Sequence, residues 1–337
     1  MKPLKIAQIG IGHNHAEAAM RTMRQFPEYF EVVGVAEDNK EWYEKRKDWA
    51  AYEGMKFMSE EELLNTPGLE AVCVEKDVPV NEEMALKCAK LGLHIRMDKP
   101  GGEDHEMFKQ IVELQRKNKK AFQMAYMYRY NPYIKKCLDM VRNGELGEIF
   151  EIDCQMSTTH TPGYRQWLSN FKGGDMYIFG SHLIDLIVRM MGEPDKITSF
   201  NKNSFPEAAK CVDNGLAVLE YPRASCTVRT TSMEANGYLR RQLVVCGSKG
   251  TIEIKPLERP TIMSIAMQEP FVGNEIHTIG HPDSRKYFDA PIKDGRYDLQ
   301  MIDFARVARG EVEAEFDYDY ELAVNRTVLK ACGIDAK

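Results

Sequence analysis

Gly10, Ile11 and Gly12 stand between a run of β-forming residues, Leu4 to Gly10, and a helix-forming stretch that extends to about Arg24. A second β run, Glu31 to Ala36, ends in Glu37 and Asp38. Strand, glycine turn, helix and strand with a carboxylate at the tip is an arrangement that binds a dinucleotide. Glycine lets the backbone bend tightly and approach the pyrophosphate, and the unpaired N–H groups at the helix start meet its negative charge. Gly10, Ile11, Gly12, His13 and Asn14 are therefore the expected cofactor-binding turn, and Glu37 is the expected acceptor for the adenosine ribose hydroxyls. The motif reads GxGxxH, because His15 occupies the place of a third Gly or Ala and Ala16 follows it. Two readings stand for His13 and His15: polar filling of the loop, or contact with the pyrophosphate or nicotinamide. Glu37 followed by Asp38, with no Arg at the tip, repels a 2′-phosphate and favours NAD over NADP, a preference that the nearby Lys40 softens.

A second group able to do chemistry is Lys99, which follows the β run His94 to Met97 and precedes Pro100, Gly101 and Gly102. In open α/β sheets ligands lie at the carboxyl ends of the strands. A lysine there can hydrogen-bond a substrate hydroxyl and help remove its proton, and partial burial that lowers its pKa strengthens the role. The plain alternative is a solvated loop charge.

The elements that must position these groups are legible in order. After Asp38 comes an amphipathic helix to about Ala51, and Ser59 with Glu62 has the spacing of a capping box that starts another. Ala71 to Val74 is a buried-strand run, Asn81 to Leu91 a helix ended by Gly92, Glu106 to Lys117 a helix, and Ala121 to Ala125 a strand. Such alternation predicts a doubly wound parallel sheet, a Rossmann-type α/β domain, over residues 1–125. From Tyr126 the pattern changes. A helix to about Arg142, a long β run Ile149 to Thr159 and a helix from about Ser181 are followed by extended runs at Ile197 to Asn201, Gly215 to Tyr221, Ala224 to Ser232, Gln242 to Cys246 and Thr251 to Lys255. Short turns between these strands predict an α+β domain over residues 126–337 with an open, mostly antiparallel sheet. Pro256 to Pro291 reads as irregular, and helices are expected at about Leu299 to Val307 and Tyr320 to Cys332.

The chain has 337 residues, enough for two domains with their own cores, and a formal net charge of −6 without a basic block. Nucleic acid and anionic membranes are not expected partners. No apolar run approaches the roughly 18 residues needed to span a bilayer, and no signal peptide is read, so a cytoplasmic location is expected. The eight cysteines form no CxxC pair and read as reduced, mostly buried thiols.

Taken in order, GIGHNH, the DKP triplet at Asp98 to Pro100, Arg129 with Pro132, GELGE at Gly144 to Glu148, GGDMYIFGSHLID and GSKGTIEI at Gly247 to Ile254 make the chain resemble the Gfo/Idh/MocA family, the glucose-fructose oxidoreductases and inositol dehydrogenases. The resemblance covers nearly the whole chain. It implies a Rossmann domain, a second domain whose open sheet has one face toward nicotinamide and substrate and the other available for subunit contacts, and hydride exchange between NAD(H) or NADP(H) and a sugar, polyol or related hydroxy compound. Position by position, it makes Lys99 the group that contacts the reacting hydroxyl and His182 the general acid or base, with Pro100 beside the cofactor. Asp185 either orients His182, binds substrate or complements a helix N-terminus. In many members an aspartate lies four residues before the histidine, where this chain has Ile178. Asp175, Tyr177, Tyr164 and His160 are the nearby candidates to act in its stead. In the loop after the fourth strand a Thr-Pro turn and histidine are replaced by Lys76, Asp77 and Asn81.

The expected substrate-binding residues are Arg129, Tyr164, Asp175 and Asp185. Tyr164, Trp167 and Phe171 either stack on a sugar ring or cover a sheet edge, and Tyr126, Tyr128 and Tyr130 alternate as on a strand. His277 and His281 have helical metal-ligand spacing but lie in a Gly/Pro segment, so no metal is expected. The leading expectation is a dehydrogenase acting on a carbohydrate-like small molecule. A lyase or glycosidase cycling a tightly bound NAD and a non-catalytic cofactor-sensing protein are the alternatives, and a homodimer or homotetramer is the expected assembly.

Overall fold

A computed structural model describes residues 2–268, 285–289 and 295–336. The chain divides into two compact units, one formed by residues 2–127 with 295–326 and the other by the described residues of 128–289 with 327–336.

The first unit is built on six parallel strands in the order β3-β2-β1-β4-β5-β6. These are β1 (Leu4–Ile9), β2 (Phe30–Ala36), β3 (Phe57–Met58), β4 (Ala71–Val74), β5 (His94–Met97) and β6 (Phe122–Met124). Between them run α1 (Ala16–Gln25), α2 (Lys40–Arg46), α3 (Glu60–Leu64), α4 (Val78–Lys90) and α5 (His105–Asn118). All four residues of β4 are fully buried, as a central strand covered on both faces requires. Chain direction along the sheet reverses between β1 and β4, which opens a crevice beyond their carboxyl ends, where Gly10 and Glu75 follow the strands.

Local chemistry sets the helix starts. Ser59 and Glu62 form the foreseen capping box of α3, and the Asn39 and Asp104 side chains cap α2 and α5. The first core joins Ile6, Met20, Met23 and Phe30 to Met301 and Phe304 of a later helix, α9 (Asp298–Ala308). Phe304 is 1% exposed, and burial of such a side chain contributes about 1.5–3 kcal/mol. The division expected at residue 125 thus differs from the packing: residues 295–326 belong with the first unit.

Glu82, on α4, backs the loop that follows β5. Gly102 has φ +105°, and a Cβ there would overlap the Glu82 carboxylate. Burial pushes Glu82 from 4.5 up to about 8, against the backbone N–H groups of Asp104 and Phe108. The folded chain therefore holds a proton that the unfolded chain has released between about pH 4.5 and pH 8. This contribution to stability is complete below 4.5 and is lost as pH rises through about 8. Glu82→Gln is expected to melt higher than the parent at about pH 8.5 and to lose that advantage near about pH 5, with thermal melts at the two values as the check.

The second unit carries eight strands in the order β14-β13-β12-β11-β7-β10-β9-β8. They are β7 (Ile149–Ser157), β8 (Lys196–Ser199), β9 (Asn214–Tyr221), β10 (Ala224–Thr231), β11 (Gln242–Gly247), β12 (Gly250–Ile254), β13 (Met263–Met267) and β14 (Arg285–Phe288). β7 and β10 run parallel and all other neighbours antiparallel. Ile152, Cys154, Val228, Leu219, Val245 and Ile252 point to the buried face, which α8 (Ser181–Met191) covers with Leu183, Ile184 and Ile187. Asp153, Thr227 and Val244, paired across β7, β10 and β11, lie on the opposite, half-buried face.

Several local expectations change. Met127–Tyr130 forms a 3₁₀ turn instead of strand-like alternation, because Asn131 caps and Pro132 opens α6 (Pro132–Arg142) directly after it. β13 and β14 lie within the stretch read as irregular, their periodicity too short to stand out between prolines. Thr161 caps an unforeseen helix, α7 (Pro162–Leu168). The helix expected from about Ser181 is preceded by residues that are already helical, with π geometry over Met176–Gly180. Of the eight cysteines, seven are buried and all are unbridged. The chain closes with α10 (Tyr318–Ala331), and no helix among the described residues is long and apolar enough to cross a membrane.

Candidate active site

Gly10, Ile11, Gly12, His13 and Asn14 form the turn from β1 into α1. Gly10 has φ +92°, and a Cβ there would overlap the backbone of Lys76, so the turn and the loop after β4 approach as only glycine allows. The first turn of α1 has no side-chain cap, since its N-cap His15 makes no such bond. That leaves helix-start N–H groups for an anion, the provision a pyrophosphate requires. Glu37, directly after β2, accepts from Ile11 N at 2.7 Å and from Asn39 N at 3.0 Å. Lys76 Nζ lies 3.9 Å from Glu37 and 2.5 Å from Glu60. Arg46, buried on α2, donates from Nη1 to the carbonyls of Ile11 and His13, both at 2.7 Å, and packs on the rings of Trp42 and Trp49. The residues of the first unit thus fit a dinucleotide.

At the carboxyl ends of β1, β4 and β5 lies a buried polar group that sequence reasoning did not assemble. Asp98 meets His15 Nδ1 at 3.0 Å and accepts from the Lys99 amide at 2.8 Å. Glu75 accepts from Arg96 Nη1 at 2.6 Å, and His13 Nδ1 lies 3.5 Å from Glu75 and 3.6 Å from Asp98. Burial pushes the His13 imidazole down to about 3 and lowers that of His15, so both are neutral near pH 7. Burial and the charge of Asp98 raise Glu75 well above the carboxylate range. For Asp98 burial acts upward as well, but the His13 and His15 rings, charged at the acid pH where Asp98 titrates, with the His15 hydrogen bond and Arg96, hold it well below. An ionised Asp98 places the His15 proton on Nδ1 and leaves Nε2 as the acceptor. His13, His15 and Asp98 bring ligand-type atoms within 4.8 Å of one another, the one group among the described residues able to hold a metal ion. His277 and His281 lie outside the described residues.

Lys99 and Pro100 follow β5, and Lys99 is 4% exposed. Asn81 donates to the Asp98 carbonyl at 3.0 Å and accepts from Lys76 N at 3.0 Å, tying the two loops together.

In the second unit His182 sits one residue into α8, 2% exposed, with its ring 5.4 Å from that of Tyr128. Tyr128 donates to Glu258, which also accepts from Arg241. Of the three readings left open for Asp185, the structure shows a partner for its carboxylate: Arg129 grips it through Nε at 3.0 Å and Nη2 at 2.6 Å, both residues buried. Tyr164, on α7, stacks on His160 at 4.1 Å, and His160 stacks in turn on Phe179 at 5.0 Å. Asp175 is wholly buried just before the π segment. Arg46, Glu75 and Arg96 were not foreseen. A charge inside the apolar run of β5 was the available signal for Arg96, and Arg46 in a charged helix offered none.

The family model described as "Oxidoreductase family, NAD-binding Rossmann fold" matches residues 4–126, and that of the "GFO/IDH/MocA C-terminal domain" matches residues 134–253. The chain belongs to the Gfo/Idh/MocA family of oxidoreductases, with a Rossmann domain that in this family binds a nicotinamide cofactor. An uncharacterized oxidoreductase of Schizosaccharomyces pombe is 23% identical over 202 residues, 59% of this chain and 54% of that protein. Inositol 2-dehydrogenase of Streptomyces avermitilis is 27% identical over 161 residues, 47% of this chain and 46% of that enzyme. The chain thus spans about half the length of these curated relatives. The crystal structure of myo-inositol 2-dehydrogenase from Lactobacillus plantarum superposes with a TM-score of 0.77 at 19% identity, covering 98% of this chain and 96% of that one, a likeness of fold.

Proposed function

We propose that this chain moves a hydride between NAD and a hydroxyl or carbonyl carbon of a sugar, polyol or related compound. The observation that carries the reading is the union, in one crevice, of an uncapped helix start, a turn-bound Glu37 and a buried Lys99 anchored through Asp98. Family membership and the likeness to an inositol 2-dehydrogenase support the substrate class. A bound nicotinamide supplies the hydride acceptor or donor. The protein's part is the proton, with roles taken from the family resemblance: Lys99 polarises the substrate hydroxyl, and His182 takes up its proton as the C–H hydride departs and gives it back in the reverse direction.

Purified protein with NAD and a panel of polyols and sugars is expected to accumulate reduced cofactor. No reduction with any of them, and no NADH oxidation with the matching ketoses, would reject the reading. Product without net cofactor reduction would indicate instead a redox-cycled elimination or glycosidic cleavage.

Glu37 supports NAD over NADP, because its carboxylate is pinned at the β2 tip, where it accepts ribose hydroxyls and repels a 2′-phosphate. Lys76, the nearby cation, is neutralised by Glu60. Glu37→Ser is expected to narrow the NAD/NADP affinity ratio by about tenfold or more, a change of roughly 1.4 kcal/mol, read from cofactor fluorescence titrations.

A further inference from the structure

The second unit contains a patch of buried polar atoms with no hydrogen-bond partner among the described residues. Both carboxyl oxygens of Asp175 are in this state, with Asp213 Oδ2, Thr230 Oγ1, Ser232 Oγ and His160 Nε2. Asp175, Asp213, Thr230 and Ser232 are each 0% exposed. Backbone bonds join the segments that carry Asp175, Asp213, Ser232 and His160: Asp175 N donates to Val212 O at 2.8 Å, Ser232 N to Asp213 O at 3.1 Å, and His160 N to Ser232 O at 2.9 Å, while Thr230 lies on β10 opposite Gly215. Buried polar groups in native proteins are almost always satisfied, so a cluster of orphans on adjoining segments marks a place where something else supplies the bonds.

The chemistry of the patch narrows what that is. Burial and the charge of Asp213 push Asp175 well above the carboxylate range, against Arg241, so its carboxyl both donates and accepts. Thr230 and Ser232 add two rotatable hydroxyls that do the same. An alcohol group matches this set in both directions, whereas an anion meets two carboxyl groups. His160 also belongs to the ring stack, 4.1 Å from Tyr164 and 19° from parallel. An aromatic face beside hydroxyl-binding oxygens suits a ring whose edges carry OH groups and whose faces carry C–H bonds.

We propose that Asp175, Asp213, Thr230 and Ser232, with the His160–Tyr164 stack, form a wall that reads the non-reacting hydroxyls of a neutral polyhydroxylated ring, Asp175 setting the specificity. This rests on the proposed hydride-transfer reading for the identity of the ligand as substrate.

The test compares the NAD-loaded parent with Asp175→Leu, Asp175→Asn and Thr230→Val, using myo-inositol, D-glucose and D-xylose as probes. Binding is measured by calorimetry and turnover by reduced cofactor. Asp175→Leu is expected to raise Kd and KM for the bound probe by about 10- to 100-fold with a smaller fall in kcat. Asp175→Asn and Thr230→Val should give smaller losses, and NAD affinity should hold in all three. Unchanged Kd and KM in the folded variants, or no probe bound by the parent, overturns the wall. Should Asp175→Leu fail to fold, the other two carry the same comparison. Asp175-dependent binding without turnover would leave the wall standing and reject hydride transfer. Turnover indifferent to all three variants would do the reverse.

Discussion

Lys99→Met is expected to lower kcat by about 10²- to 10⁴-fold while the dissociation constant for NAD changes little. The side chain keeps its length and loses the ammonium, while the backbone bonds of the loop remain: Asp98 accepts from the Lys99 amide, and Asn81 bonds the Asp98 carbonyl. The cofactor turn at Gly10 to Asn14 and Glu37 is untouched. Steady-state kinetics on a substrate active with the parent, paired with cofactor titration and a thermal melt, separates loss of chemistry from loss of fold. A folded variant that binds NAD and turns over within about threefold of the parent would remove Lys99 from the reaction.

Arg96→Leu is expected to destabilise the chain by about 3–5 kcal/mol. The guanidinium is 0% exposed, holds Glu75 at 2.6 Å and lies 3.9 Å from Asp98. Removing it leaves two carboxyl groups facing neutral imidazoles in a site without solvent, and breaking a buried ionic network by deleting one partner costs more than the network contributes when intact. The cost should shrink when Asp98→Asn is added, since Asp98 is the carboxyl held ionised and an amide has no charge to desolvate; double-mutant denaturation measures the coupling. An Arg96→Leu protein as stable as its parent would show that Glu75 and Asp98 are both uncharged in the fold. Because His15 and Lys99 both bind Asp98, a fall in cofactor affinity should accompany the loss.

Much of the frame was legible because its signals are local. A glycine turn between two β runs, the Ser59 capping box, Gly92 after a helix and the apolar run of β4 each act within a few residues, so spacing reveals them. The order of family-like segments was likewise readable, and the family models cover them apart from Arg129 with Pro132 and the final Ile254. What the chain order concealed lies in pairings across strands and between distant segments.

Arg96 and Glu75 are partners because β4 and β5 run in parallel register, Cys73 opposite Arg96, a choice made by packing over the whole sheet. Arg129 and Asp185, both expected to bind substrate, meet across 56 positions of sequence as a buried pair, a contact that chain order does not reveal. Helix α9 reads as an amphipathic segment of the C-terminal region, and only the complementarity of Met301 and Phe304 to the α1 side of the first core assigns it there. The amino-acid order alone determined a nucleotide-binding α/β unit, a lysine at a strand end and a histidine on a later helix, since short-range patterns specify elements and their termini. The tertiary structure decided which buried charges neutralise one another and which oxygens around Asp175 have no partner among the described residues. Burial and satisfaction are properties of the packed whole, set by residues hundreds of positions apart.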